Sequence, residues 1–340
     1  SVNFALQFQP LGDMIEEHEA QILSNLDGDS EEDHDPNSPK GKKGKPVAKS
    51  GEVISLDKFR KNQKSVAIFD ASWHLPSAGR DAKQEFTDTH ISGARFFDFA
   101  RFHDAESILP NMLIRDEAEL SQSLNELGIT PEHKIIFYDN SELHTSCRAL
   151  WMMQTFGHNT NQLYILDGGL PAWLRYGGKM ESGESKQVTP KPYPINFIAH
   201  NVRTLLQMKT NLHHPTEQVV DMRHPIRYAG GKDASPDIRP GHIPGSFSFP
   251  YQTMFELDGR FRPLERIRRQ LTGIGVCLEY PIVTTCGSGM TATILNFVLG
   301  LLNQEQNALY DGSWSEWGRN TLYHGEADLS ERPVVTSLDK

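Results

Sequence analysis

Residues 284–293 read TTCGSGMTAT, and the cysteine near their centre, Cys286, is the residue best placed to act as a nucleophile. An apolar run, residues 281–283, leads in, and a second of helical length, residues 294–302, leads out. The pattern predicts a strand-to-helix turn with Cys286 at its apex. Gly287 and Gly289 predict a backbone that curls, so that successive N–H groups from Gly287 through Ser288 and Met290 to Thr291 converge on the sulfur. The start of the following helix adds partial positive charge. Such a cradle stabilises a thiolate, and equally the anionic outer sulfur of a persulfide. A lone cysteine is most often a small buried core residue. A core residue has no need of flanking glycines, and this decides for the nucleophile.

The chain has two other cysteines. Cys147 lacks a glycine cradle and reads as structural, and redox-sensitive only if it faces a cleft. Cys277 precedes a predicted strand and reads as partly buried. Three scattered cysteines do not make a disulfide framework, and neither CxxC nor HExxH is present, so no structural metal is expected. Such usage suits a reducing compartment, cytoplasmic or mitochondrial. The first residues lack a secretory signal and the arginines of a transit peptide. No apolar run is long enough to span a membrane, which predicts a soluble protein. The net charge of −10 argues against non-specific nucleic-acid binding, which needs clustered positive charge.

The elements that must position Cys286 follow from the rest of the chain. Its 340 residues fit two domains better than one. Residues 66–70 (VAIFD), 134–139 (KIIFYD) and 163–166 (LYIL) are short apolar runs, as strands buried on both faces require. Residues 116–127 have acids in the first turn and Gly128 after the end, and so predict a helix; residues 146–156 predict another. The second half repeats this plan. Asp70 and Asp221, His90 and His242, and Asp167 and Asp311 recur in order at offsets of about 150 residues, which argues for a duplicated domain. The boundaries read as 51–185 for a first, non-catalytic domain, 186–194 for a proline-rich linker, 195–330 for a second, catalytic domain and 331–340 for a tail. Residues 1–50 read as a disordered, charged N-terminal tail. Residues 11–26 have passing helical character, and residues 27–50 have an acidic block followed by a basic one, too polar to order alone. A protein partner is one use for that N-terminal tail.

The string CGSGMTA at 286–292 resembles the active loop of the 3-mercaptopyruvate sulfurtransferases, CG[ST]GVTA, with Met290 in place of valine. Thiosulfate sulfurtransferases carry CRKG[VF]TA, whose basic side chains suit a doubly charged donor. DASWHLP at 70–76, GRDA at 79–82, GHIPG at 241–245 and DGSWSEW at 311–317 agree, and the resemblance covers residues 53–325. It implies an α/β fold of two tandem rhodanese-like domains, each a five-stranded, mainly parallel sheet flanked by helices. It implies sulfur transfer from a small-molecule donor, 3-mercaptopyruvate, through a Cys286 persulfide to thioredoxin or another thiol, or to cyanide in an assay, without a cofactor. Arg227 falls where the family places an arginine for the donor carboxylate, and its spacing from Asp221 favours that role over a surface one. Asp221, at a strand end, reads as a support for the loop.

Three further positions depart from the family pattern. Ser235 stands where a second arginine is usual, with Lys232 and Arg239 nearby. The family has an Asp–His–Ser relay; here Ser288 is kept, while Ala100 and Asn111 stand at the Asp and His positions. Asn111 can donate a hydrogen bond but cannot transfer a proton. His103 and Asp104 are the nearest substitutes in sequence. The competing readings are a thiosulfate sulfurtransferase, opposed by the absence of cations at Gly287 and Ser288, and a non-catalytic binding or regulatory module, opposed by the intact Cys286 loop. A cysteine phosphatase needs Cys-x5-Arg, and Ala292 excludes it.

Overall fold

The computed structural model describes residues 66–113, 116–231, 235–322, 325–326 and 329–337. The expected features of residues 1–50, and Lys232, lie outside the described residues. The first half runs β1 (Val66–Asp70), α1 (Ala82–Asp88), β2 (His90–Ile91), β3 (Arg95–Phe96), α2 (Glu117–Glu126), β4 (Lys134–Tyr138), α3 (Ser146–Thr155), β5 (Leu163–Ile165), α4 (Gly169–Arg175) and β6 (Met180–Glu181). The second runs β7 (Val202–Arg203), α5 (Leu205–His213), β8 (Gln218–Asp221), α6 (Pro225–Tyr228), β9 (Phe247–Ser248), α7 (Leu264–Gly273), β10 (Ile282–Thr285), α8 (Ala292–Leu301), β11 (Asn307–Tyr310) and α9 (Ser313–Trp317).

Each half builds a parallel sheet, ordered β3-β1-β4-β5 in the first and β7-β11-β10-β8-β9 in the second. The second sheet has the five strands expected. The first has four among the described residues, and the segment that precedes β1 in sequence, where β7 precedes β8, falls outside them. The central strands are apolar on both faces because helices cover both faces. Helix starts are set by side-chain caps: Asp81 accepts from the N–H groups of Lys83 and Gln84, and Asp116 from those of Ala118 and Glu119. Thr204 and Gln207 form a reciprocal capping box on α5.

The duplication extends to register. Asp70 pairs with Tyr138 across β1 and β4, and Asp221 with Thr285 across β8 and β10. The residues that follow, Asp139 and Cys286, therefore begin equivalent loops. In the first half the Asp139 carboxylate itself accepts the N–H groups of Ser141, at 3.1 Å, and Ser146, at 2.8 Å. That loop carries its own anion where the second carries sulfur.

The halves are joined by one apolar core, in which the buried helices α3 and α8 pack on each other. Fully burying a Leu, Ile or Phe contributes about 1.5–3 kcal/mol, and Leu150, Ile294, Leu295 and Phe297 all lie in this core. The proline-rich connection is fastened down: Tyr193 is buried, its N–H donates to Asn125 Oδ1 at 2.7 Å, and its hydroxyl meets His158 Nδ1 at 2.5 Å. Residues 331–337, in the segment expected as a tail, pack against the second half. Arg332 is buried and donates to the carbonyls of Glu316, Trp317 and Arg319, and Val335 bridges to His242. A buried guanidinium needs such acceptors, and the carbonyls around the end of α9 supply them.

Candidate active site

Cys286 stands where the sequence pattern placed it, between β10 and α8. The thiol is buried, and the loop is held from behind by the start of α9. The Cys286 N–H donates to Ser313 Oγ at 3.2 Å, the Trp314 N–H to the Cys286 carbonyl at 3.0 Å and the Ser315 N–H to the Gly287 carbonyl at 2.8 Å. Among the described residues, none of the five N–H groups from Gly287 to Thr291 has a protein acceptor. A run of uncommitted donors in the loop that follows one cysteine can serve negative charge.

The two glycines differ in role. Gly289 has φ +78°, and a Cβ there would come within 2.7 Å of the Asp311 carbonyl. Conformation and close approach both require glycine. Gly287 meets neither demand; its position faces Arg227, whose Nη1 and Nη2 lie 3.7 and 3.8 Å from where a Cβ would stand. The absence of a side chain leaves that side of the loop open beneath the guanidinium. Met290 is buried, and its carbonyl accepts the Thr293 hydroxyl at 2.7 Å; Thr291 stands at the N-cap position of α8 without a side-chain cap bond.

Asp221 acts as a support. It grips Arg223 through both oxygens, at 2.7 to 3.1 Å, and Arg223 also donates to the Gly241 carbonyl and lies over the Trp314 ring. This fixes the turn that carries α6 and Arg227. Ser235 closes a neighbouring turn by accepting from the Asp237 N–H. Arg239 does not face the loop, because its guanidinium is committed to the carbonyls of Trp317 and Gly318.

The first half supplies a wall. Asn111, buried and at φ +62°, donates from Nδ2 to Ser288 Oγ at 2.8 Å. Sequence reasoning placed Asn111 in this region and the structure brings it to the serine. His103 and Asp104 do not take that place. His103 bridges to Leu113, and the Asp104 carboxylate accepts the Glu106 N–H. These contacts shape the segment that delivers Asn111. Burial, and then the positive charge of Arg148, lower the His103 pKa to about 4, so its ring is neutral near pH 7. Ala100 is exposed in a separate turn.

Two further residues were missed from sequence. Arg148 on α3 is fully buried and crosses between the halves, donating to the Asn111 carbonyl at 2.5 Å, the Gly289 carbonyl at 3.2 Å and Asp311 Oδ1 at 2.9 Å. Asp311 Oδ2 in turn accepts the Leu113 N–H at 2.9 Å. The available signal was an arginine inside the otherwise apolar helix segment CRALWMM, since a buried cation must be paired. Tyr251 donates its hydroxyl to the Glu142 carbonyl at 3.4 Å, and burial, and then the negative charges of Glu142 and Cys286, push its phenol up. Of the other cysteines, Cys147 is buried, with its thiol pushed well up by burial and by Asp139, and Cys277 donates its S–H to Glu279 at 2.9 Å. Neither has the environment of a thiolate.

Comparison with known proteins agrees with this geometry. The family model for the rhodanese-like domain matches twice, over residues 55–176 and 204–320. The chain is 37% identical over 253 residues to 3-mercaptopyruvate sulfurtransferase of Homo sapiens, covering 74% of this chain and 84% of that one. It is 34% identical over 294 residues to thiosulfate/3-mercaptopyruvate sulfurtransferase 1, mitochondrial, of Arabidopsis thaliana, covering 80% and 77%. The crystal structure of SseA from Escherichia coli, a 3-mercaptopyruvate sulfotransferase, superposes with a TM-score of 0.67 at 32% identity, over 76% of this chain and 96% of that one. With two rhodanese-like domains and a cysteine cradled in the second, the chain belongs to the rhodanese family, as a tandem-domain sulfurtransferase.

Proposed function

We propose that this sulfurtransferase takes sulfur from 3-mercaptopyruvate onto Cys286, releases pyruvate, and passes the sulfur to a thiol such as that of reduced thioredoxin. The observation that carries the proposal is the pairing of a cysteine that heads a loop of five uncommitted N–H groups with the Arg227 guanidinium beside Gly287. Arg227 offers a fork of donors to the donor carboxylate. The Cys286 thiolate attacks the donor's thiol sulfur and an S–S bond forms. The bond from that sulfur to the donor's C3 breaks, and its electron pair passes into the enolate of pyruvate, which takes up a proton. Cys286 is left as a persulfide, its outer sulfur within reach of the loop N–H groups. An acceptor thiolate then attacks that sulfur, and Cys286 leaves as thiolate. Dividing one transfer into two easier steps is the logic of covalent catalysis.

The first half serves as a wall of the site and the second as the catalytic domain. The reading fits a reducing compartment, cytoplasmic or mitochondrial, because Cys286 must be free to turn over; among the described residues no helix is long and apolar enough to cross a membrane. The test is to mix the reduced protein with 3-mercaptopyruvate, or separately with thiosulfate, and follow intact mass and pyruvate. One added sulfur from 3-mercaptopyruvate, absent in Cys286→Ser, supports the proposal. Loading by thiosulfate alone supports the second reading, a thiosulfate sulfurtransferase, which the name of the Arabidopsis relative keeps open. No loading by either donor refutes both.

A further inference from the structure

We infer that Asn111 fixes Ser288 as a one-way hydrogen-bond donor toward the ketone oxygen of the sulfur donor, which makes Asn111 a positioning residue that favours ketone-bearing donors. The inference rests on the sulfur-transfer reading above and adds how the donor is recognised. A serine hydroxyl has one hydrogen to give and two lone pairs to receive with. Nδ2 of Asn111 has no lone pair to offer, so at 2.8 Å it can only donate, and it occupies an acceptor site of Ser288 Oγ. The serine hydrogen is therefore turned away from Asn111. Ser288 lies two residues beyond Cys286, on the loop whose N–H groups from Gly287 to Thr291 have no protein acceptor among the described residues. A hydroxyl held this way suits the oxygen that gains charge as pyruvate enolate leaves.

The backbone that carries the amide is itself held in place. Asn111 is buried and takes a left-handed backbone, which asparagine tolerates better than most residues. Its backbone carbonyl accepts from Arg148 at 2.5 Å, and the same guanidinium reaches the Gly289 carbonyl and Asp311. Leu113, two residues on, is tied to the other oxygen of Asp311. The segment carrying Asn111 and the loop carrying Ser288 are thus fastened to the same ion pair, and the distance between the two side chains is set by buried contacts on both sides. An amide neither takes nor gives a proton near neutrality, so the pair stabilises charge and leaves proton transfer to other groups.

The test uses the full-length protein and three variants: Asn111→Gly, which keeps the left-handed backbone without the amide, Ser288→Ala, and the double variant. Losing one well-placed donor to developing charge costs about a hundredfold or more in rate, and losing only its orientation is expected to cost roughly tenfold. Asn111→Gly should therefore lower kcat for 3-mercaptopyruvate about tenfold with KM within about twofold, and lower loading from thiosulfate, which has no ketone, by a much smaller factor. In the Ser288→Ala background the Asn111→Gly change should add less than about twofold, because residues that act through one another are not additive. An equal fall with both donors, or a full additional tenfold in the Ser288→Ala background, would overturn the inference while leaving Cys286 as sulfur carrier intact. Failure of the unmodified protein to load from either donor would instead remove the sulfur-transfer reading on which the inference depends.

Discussion

Replacing Arg148 by methionine should both destabilise the protein and slow sulfur loading. Arg148 and Asp311 are 0% and 1% exposed and are 2.9 Å apart, so neither charge can fall back on water when the other is removed. Breaking a buried ion pair from one side costs about 3–5 kcal/mol, because the remaining charge stays buried. Here Asp311 keeps the Leu113 N–H, while the Gly289 and Asn111 carbonyls lose a donor. The retained bond places the expected loss near the lower end, about 3 kcal/mol. At about 2–4 °C per kcal/mol for a domain of this size, Tm should fall by roughly 6–12 °C. Urea unfolding followed by tryptophan fluorescence, with calorimetry beside it, measures the loss. The double variant Arg148→Met with Asp311→Asn is neutral at both positions, and the introduced amide oxygen can still accept the Leu113 N–H. It should recover at least about half of the deficit. An Arg148→Met protein within about 1 kcal/mol of the parent, or a double variant less stable than the single, would refute the reasoning.

Three further outcomes are expected. Gly289→Ala should cost about 1–3 kcal/mol and impair loading, because it strains a left-handed backbone against the Asp311 carbonyl, whereas Gly287→Ala should leave stability within about 0.5 kcal/mol; unfolding curves of the two variants decide, and equal losses would contradict the assignment. Arg227→Ala should raise KM for a carboxylate donor roughly ten- to a hundredfold, the worth of a charged hydrogen-bonded pair, and an unchanged KM would place the donor elsewhere. Asp70 has its pKa pushed up to about 6 by burial, against the opposing pull of its hydrogen bonds with Ser72. A folded pKa above the unfolded one means that the folded state holds the proton more tightly. The associated stability is present below about pH 4 and is lost as pH rises through about 6, an effect on the order of 3 kcal/mol. Asp70→Asn should therefore gain stability relative to the parent at about pH 7.5 but not at about pH 4.5, and urea unfolding that shows the same difference at both would refute the assignment.

Local pattern alone determined much of this protein. Residues 66–70 and 134–138 are strands because their apolar runs suit burial on both faces, and Asp116 and Gly128 bracket α2 because capping is a short-range effect. The recurrence of Asp70, His90 and Asp167 in the second half revealed the duplication, and the glycines around Ser288 marked the loop of the candidate nucleophile. The tertiary structure decided what depends on contacts between distant residues. Asn111 and Ser288 are 177 positions apart and Arg148 and Asp311 are 163, and no periodicity relates them. The requirement for glycine at 289 but not at 287 comes from a backbone carbonyl on another element, and the packing of residues 331–337 comes from acceptors around the end of α9. Secondary structure reflects interactions within a few residues, which sequence spacing records. The wall of the site and its hydrogen-bond directions arise only when α3 and α8 pack and bring the two halves together.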